Sequence, residues 1–285
     1  MATDILDVAG FTILKRIGTG ARSIIYMATD NTNKHKVALK RVLYRRPEDK
    51  RIFEQVCTEY KIANQLDHPY LRKCYKLKKK RSMFKTSEML LSMELFDGTV
   101  LEDCPALSLI DVLLVFRMVA DGLNAMHQRG FVHCDIKPNN IMLDKAGSIK
   151  IIDLGQSCKI GTIKPRIQGT PDYIAPEQVQ RKPMSLKTDI FNLGATMYWA
   201  LTGHHVPTLI PKKDKYGLPV VRKCKPPHQI TKVPLGVSKL VMDCVKEPPQ
   251  ERPRNMLEVI SRLDVLIHGI LANKANTNKN ASKNN

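Results

Sequence analysis

Between residues 11 and 43 apolar and polar positions alternate in short β-branched runs, Phe11–Ile17, Ile24–Thr29 and Val37–Val42. That period of two predicts three strands. A glycine turn separates the first two runs, and a polar bend at Asn31–Lys36 separates the next two. From Glu48 to Asp67 the period lengthens to 3.6, with Ile52, Val56, Tyr60 and Ala63 on one face of a helix that His68-Pro69 closes. Two strand-like pieces follow, Leu71–Leu77 and Met89–Leu95. Ser108 and Asp111 have the spacing of a capping box, and the apolar series from Leu109 to Met126 stops at Gly130. Short β pieces at Ile141–Leu143 and Ile149–Ile152 come next. Helical patterns return at Lys187–Leu201, Val237–Val245 and Met256–Leu271. The expected architecture is α+β and bilobal: a small β-rich lobe with one helix over about 11–96, then a larger, mainly helical lobe over 97–271.

The chain has 285 residues, 43% hydrophobic and 26% charged, which suits a sizeable core and excludes a coiled-coil rod or a mostly disordered chain. One domain is expected over 1–271. Ala272–Asn285, rich in Asn and Lys and without an aromatic residue, reads as a disordered tail. A membrane-spanning helix needs ~20 apolar residues, and runs such as Val112–Phe116 are far shorter. Asp4 and Asp7 interrupt the start, against a signal peptide. Seven cysteines without a CxxC pair read as reduced thiols rather than a disulfide frame or zinc site, and a cytoplasmic location is expected. The net charge of +19 favours polyanionic partners without choosing among nucleic acid, anionic membrane surfaces, nucleotide phosphates and acidic proteins.

Three pieces carry candidate chemistry. Ile17-Gly18-Thr19-Gly20 with Ser23 and Ile25 is a glycine-rich hairpin whose backbone N–H groups can approach phosphate oxygens; alone, it is also an ordinary β-turn. Val37-Ala38-Leu39-Lys40 ends a strand in a cation that could neutralise phosphates. Glu59, on or beside the buried helix face, can hold it, although any isolated Lys/Glu pair is more often solvated. The decisive piece is His133-Cys134-Asp135-Ile136-Lys137-Pro138-Asn139-Asn140, followed by Ile152-Asp153-Leu154-Gly155. Asp135, Asn140 and Asp153 supply oxygens suited to a hard Mg²⁺ ion and to a proton-accepting base. Lys137 can offset charge on a transferring phosphoryl group.

In that order, GTGARS, VALK, Glu59, HCDIKPNN, DLG, GTPDYIAPE, Asp189 in DIFNLG and Arg252 in ERPR resemble a eukaryotic-type protein Ser/Thr kinase over about residues 11–271. The resemblance implies ATP with Mg²⁺ or Mn²⁺ as cofactors and proteins with Ser or Thr acceptors as substrates. It implies that Gly18, Thr19 and Gly20 cover the phosphates and that Lys40, paired with Glu59, contacts the α- and β-phosphates. Asp135 would accept the substrate proton, Lys137 would steady the γ-phosphate, and Asn140 and Asp153 would hold the metal. Ile17, Ile25, Ala38 and Met142 match the apolar adenine sandwich, Met93 the back of the pocket, and the backbone of Glu94 and Phe96 the base edge. Glu177 resembles the buried partner of Arg252, and Asp189 the carboxylate holding the catalytic-loop backbone. A scaffold that binds nucleotide or partners without transfer is the alternative, and the intact Lys40, Asp135 and Asp153 argue against it. A nucleic-acid-binding module, suggested by charge alone, lacks any visible zinc-finger or RNP-type pattern.

Cys134 stands where the family usually carries an arginine that pairs with a phosphorylated activation segment, so activity is expected to be independent of phosphate there. Leu154 and Ser23 replace the usual Phe and third Gly. The basic run Arg72, Lys73, Lys76, Lys78, Lys79, Lys80 and Arg81 is expected either to be a solvated strand edge or to dock an acidic partner, nucleic acid or an anionic surface. The proline-rich span 206–234 follows the family pattern least well.

Overall fold

The computed structural model describes residues 7–20, 22–82, 85–210 and 224–281. Ala21 of the glycine turn, 211–223 of the proline-rich span and 282–285 of the expected tail lie outside them. The N-terminal lobe is an antiparallel sheet of β1 (Asp7–Val8), β2 (Phe11–Gly20), β3 (Ser23–Asp30), β4 (Lys36–Leu43), β5 (Cys74–Ser82) and β6 (Lys85–Met93), in the order β1-β2-β3-β4-β6-β5. Helix α1 (Asp49–Ala63) connects β4 to β5.

Strand alternation divides β4 between two environments. Val37 and Leu39 enter an outer cluster with Phe11, Ala28 and Leu90. Ala38 and Val42 turn the other way, into the core that runs under α1 and on into the second lobe. Lys40 lies between them on that inward face. In α1 the 3.6 period buries Phe53, Val56, Glu59, Ile62 and Ala63, so the sequence places a carboxylate on the apolar side of the helix. The two periodicities together set up the central ion pair of the cleft.

Beyond β7 (Thr99–Val100), the second lobe is built on α2 (Leu109–Gln128), β8 (Phe131–Val132), β9 (Ile141–Leu143), β10 (Ile149–Ile151), β11 (Cys158–Lys159), α3 (Pro176–Val179), α4 (Leu186–Thr202), α5 (Leu235–Cys244) and α6 (Met256–Ala281). The Ser108 hydroxyl accepts from Asp111 N at 3.3 Å, capping α2 as its spacing predicts. Ser185 and Thr188 exchange the reciprocal bonds of a capping box at the start of α4. Gly169 adopts φ +138°, and a Cβ there would lie 3.0 Å from Ile174 Cγ1, so this position before the Ala-Pro-Glu turn suits glycine on both counts.

Three boundaries differ from the sequence reading. Helix α1 ends at Ala63 rather than Asp67, because Gln65 and Leu66 take tight backbone bonds to Ile62 and Ala63. The strand expected at Leu71 begins at Cys74, since Leu71 and Arg72 turn away to pair with Ile151 of the second lobe. The tail expected from Ala272 begins as helix: α6 runs on to Ala281, with Ala272–Asn276 exposed. A formed helix adds one hydrogen bond per further residue, so it can extend past its last core contact.

Candidate active site

Four segments converge between the lobes. From β4, Lys40 Nζ donates to Glu59 Oε2 at 2.8 Å and lies 3.7 Å from Asp153 Oδ1. Burial alone would lower the Lys40 pKa, but Asp153 and Glu59 outweigh it and hold the ammonium well above the ordinary lysine value. Lys40 in turn holds Asp153 below the usual carboxylate range, against the opposing effect of burial. Asp153 has left-handed backbone, φ +64° and ψ +70°, and its Oδ1 accepts from Gly155 N at 3.3 Å. Such a conformation costs a non-glycine residue roughly 1–2 kcal/mol; here it aims the carboxylate at Lys40.

The loop after β8 carries the second group. Asp135 is buried, with Oδ1 accepting from Thr170 Oγ1 at 2.9 Å and Oδ2 accepting from Asn140 Nδ2 at 3.3 Å. Lys137 Nζ lies 3.3 Å from Asp135 Oδ2 and donates to Thr170 Oγ1 at 2.8 Å. Asn140 Nδ2 also donates to the Asp135 carbonyl at 2.8 Å, which commits its amide nitrogen and leaves the amide oxygen as a donor to a cation.

The loop is held from below by Asp189 of α4. Its carboxylate accepts from Cys134 N at 2.8 Å, His133 N at 2.9 Å and His127 Nε2 at 2.8 Å. Although burial opposes ionisation, the His127 hydrogen bond and charge lead the effects that keep this carboxyl's pKa low. Arg252 grips Glu177 in a buried bidentate pair at 2.8 and 3.0 Å, and Thr188 Oγ1 donates to the same carboxylate.

The candidate adenine residues come from β2, β3, β4, β6 and β9. Ala38 and Met93 are paired in register across β4 and β6 and are buried. Ile25 pairs with Gly18 and Lys40, Met142 pairs with Val100 of β7, and Ile17 stands 42% exposed within β2. The Glu94 N–H is taken by the Lys73 carbonyl, and its side chain pairs with Lys150 at 2.7 Å. Phe96 follows in the connection between the lobes. In the glycine turn, a Cβ at Gly20 would meet Ser23 Oγ at 2.7 Å, whereas one at Gly18 would find only ordinary contacts with Ile25. The Ser23 hydroxyl can rotate away, so a side chain at Gly20 would displace that hydroxyl rather than the backbone.

Two contributors were missed by the sequence reading. Arg72, read as part of a basic run that is either a solvated strand edge or a docking surface, is buried with Nη2 3.4 Å from Glu59 Oε1, making Lys40–Glu59 part of a triad. The rest of that run is partly engaged within the lobe: Lys73 with Asp67, Lys76 with Asp30, and Lys78 with the Ala9 carbonyl and the Phe11 ring. Lys79, Lys80 and Arg81 are exposed. Gln178 is the other. Its amide nitrogen donates to the carbonyls of Cys134 and Gln168, and its oxygen accepts from Ala175 N and Asn192 Nδ2, tying the loop after β8 to the chain on both sides of Gly169 and to α4.

The protein kinase domain family matches residues 11–262. The chain belongs to that family, and its β-sheet lobe over a helical lobe is the bilobal kinase fold. Similar proteins include serine/threonine-protein kinase PknD of Chlamydia caviae, 26% identical over 304 residues, covering 91% of this chain and 31% of the relative. The cAMP-dependent protein kinase catalytic subunit of Schizosaccharomyces pombe is 27% identical over 203 residues, covering 70% of this chain and 39% of the relative. Smooth-muscle myosin light chain kinase of Gallus gallus is 33% identical over 156 residues, covering 53% and 8%. The chain spans well under half the length of these curated relatives. Among the described residues no helix is long and apolar enough to cross a membrane.

Proposed function

We propose that this chain is an active protein serine/threonine kinase, transferring the γ-phosphate of ATP to a Ser or Thr hydroxyl. One observation carries the reading: the Asp135 carboxylate is held by Thr170 and Asn140 with Lys137 3.3 Å away, while the Lys40–Glu59–Asp153 cluster closes the other side of the cleft. Asp135 accepts the proton of the acceptor hydroxyl as its oxygen attacks phosphorus. Lys137 stands beside that carboxylate to offset the charge of the phosphoryl oxygens, and Lys40 meets the remaining phosphates.

The Asp153 carboxylate and the free amide oxygen of Asn140 form a hard-oxygen pair that fits Mg²⁺, which would supply charge neutralisation of the phosphates. Thr170 and Lys137 fill the space beside the base, which suits a short aliphatic hydroxyl over a phenol. A neutral, buried Cys134 supports activity without a phosphorylated activation segment, since no cation stands at that position to read one.

The test is transfer of labelled γ-phosphate to a generic basic acceptor protein with Mg²⁺, beside Asp153→Ala, followed by phosphoamino-acid analysis. Label on Ser or Thr, absent from the variant, supports the proposal. Nucleotide binding with no transfer in any condition supports the scaffold reading instead.

A further inference from the structure

Strand β11 returns to the catalytic loop and pairs with β8, Cys158 opposite Val132. This brings Cys158 alongside Cys134, with the two sulfurs 3.8 Å apart. Cys134 is fully buried against Val132 and Met184, and Cys158 packs on that cluster while remaining partly exposed. On its open side Cys158 lines a cavity of about 200 Å³ between α1 and the segment after Asp153, whose walls include Arg51, Lys164 and Arg166. Small oxidants therefore have a route to one sulfur, cations stand near it, and a second sulfur waits behind it.

We propose that Cys134 and Cys158 form a reversible oxidative modification site, closed to a disulfide by hydrogen peroxide. The Cys158 sulfur attacks one peroxide oxygen, the O–O bond breaks, and the departing hydroxide leaves as water after taking a proton. The Cys134 sulfur then attacks the sulfenic sulfur, expelling its oxygen as a second water. Two thiols lose two electrons and two protons, and one peroxide becomes two waters. The order follows from access, because Cys134 has none. It also follows from charge: the hydrogen bond from Cys134 lowers the Cys158 pKa against burial, with help from Lys164, while Cys134 is pushed up by its hydrogen bond to Cys158 and by burial.

Closing the bond shortens the sulfur separation from 3.8 Å to about 2.05 Å. The Cys134 backbone, at φ +64°, is pinned by Asp189 through its N–H and by Gln178 through its carbonyl, directly before Asp135. A pull on this residue moves the base, and displacements near 1 Å can cost about a hundredfold in rate. The consequence for activity rests on the kinase reading; the cross-link itself does not.

The experiment is peptide mass mapping of the full chain after peroxide, digested without reductant. The expected result is a linked Cys134–Cys158 peptide lighter by two hydrogens, split by dithiothreitol. In Cys134→Ser, Cys158 is expected to stop at a dimedone-reactive sulfenic acid, and in Cys158→Ser, Cys134 is expected to stay unmodified. Phosphotransfer should fall at least tenfold in the linked protein and recover on reduction, while Cys158→Ser keeps its rate through peroxide. Absence of the linked peptide, or oxidation of Cys158 straight to sulfinic acid in the wild-type chain, overturns the proposal. A linked protein with undiminished transfer overturns its effect on activity. A chain inactive even when reduced refutes the kinase reading and leaves the mass result standing by itself.

Discussion

Replacing Glu59 by Gln changes one atom in size and one charge in a buried triad. Glu59 faces Lys40 Nζ at 2.8 Å and Arg72 Nη2 at 3.4 Å and is only 2% exposed. At an effective dielectric of about 20, each pair attracts by roughly 5–6 kcal/mol before desolvation. Burial cancels much of that, yet removing one partner still costs about 3–5 kcal/mol, because the other charges stay behind unpaired. For a chain of this size that corresponds to a fall in melting temperature of about 5–8 °C. Without Glu59, Lys40 and Arg72 share Asp153 alone, so the lysine is drawn toward the carboxylate proposed above to hold the metal. If about 2 kcal/mol of this is felt in the transition state, kcat/KM for ATP falls about thirtyfold. Initial rates against ATP concentration and thermal melts on the same preparations read both quantities. Adding Arg72→Met should return at least 1 kcal/mol of stability, since it removes the stranded cation, without restoring the rate. Unchanged kinetics in Glu59→Gln, or strict additivity in the double variant, would refute the triad.

Other predictions concern separate parts of the molecule. Glu177→Ala leaves Arg252 buried without its bidentate partner, so it should cost about 3–5 kcal/mol in denaturant melts, whereas Glu177→Leu with Arg252→Met should be far milder. Asp30 is held down to about 2, chiefly by the Lys76 hydrogen bond. A lowered carboxyl stabilises the fold above its unfolded pKa and loses that contribution as pH falls from about 4 through 2. Asp30→Asn should therefore flatten the acid limb of stability in that window, and an unaltered limb would count against the pair. Thr170→Val removes the hydroxyl that joins Lys137 to Asp135, and kcat should drop about ten- to a hundredfold, with Thr170→Ser recovering most of it. Thr162→Ala should keep its rate, in line with an activation segment that needs no phosphate; dependence on a phosphate there would contradict that reading.

How much of this was legible in the chain depends on how local each signal is. Lys40 and Glu59 could be placed because one sits on a period-2 strand and the other on a period-3.6 helix, and each period specifies a face. The catalytic loop could be read because its polar residues are close in sequence and stand in an otherwise apolar stretch. Arg72 could not. A charge inside a basic run looks solvated until one knows that Leu71 and Arg72 leave the sheet to pair with Ile151. Gln178 has no local signature either, as its four partners come from the catalytic loop, the segment before the Ala-Pro-Glu turn, the turn itself and α4. The Cys134–Cys158 contact depends on the β8–β11 register, which two two-residue strands do not announce. In the opposite direction, the composition of Ala272–Asn285 pointed to disorder where helix continues to Ala281, because composition reports the absence of a core contact and not the end of a hydrogen-bonded ladder.

The central claim is that Asp135 takes the proton of a Ser or Thr hydroxyl in phosphotransfer. It is tested most directly by comparing the wild-type chain with Asp135→Asn in Mg²⁺-dependent transfer of γ-phosphate to a serine peptide, with ATP binding measured alongside. The account predicts that kcat falls by about 10²–10⁴ while ATP affinity stays within about twofold. An Asp135→Asn variant that transfers phosphate at the wild-type rate would contradict it.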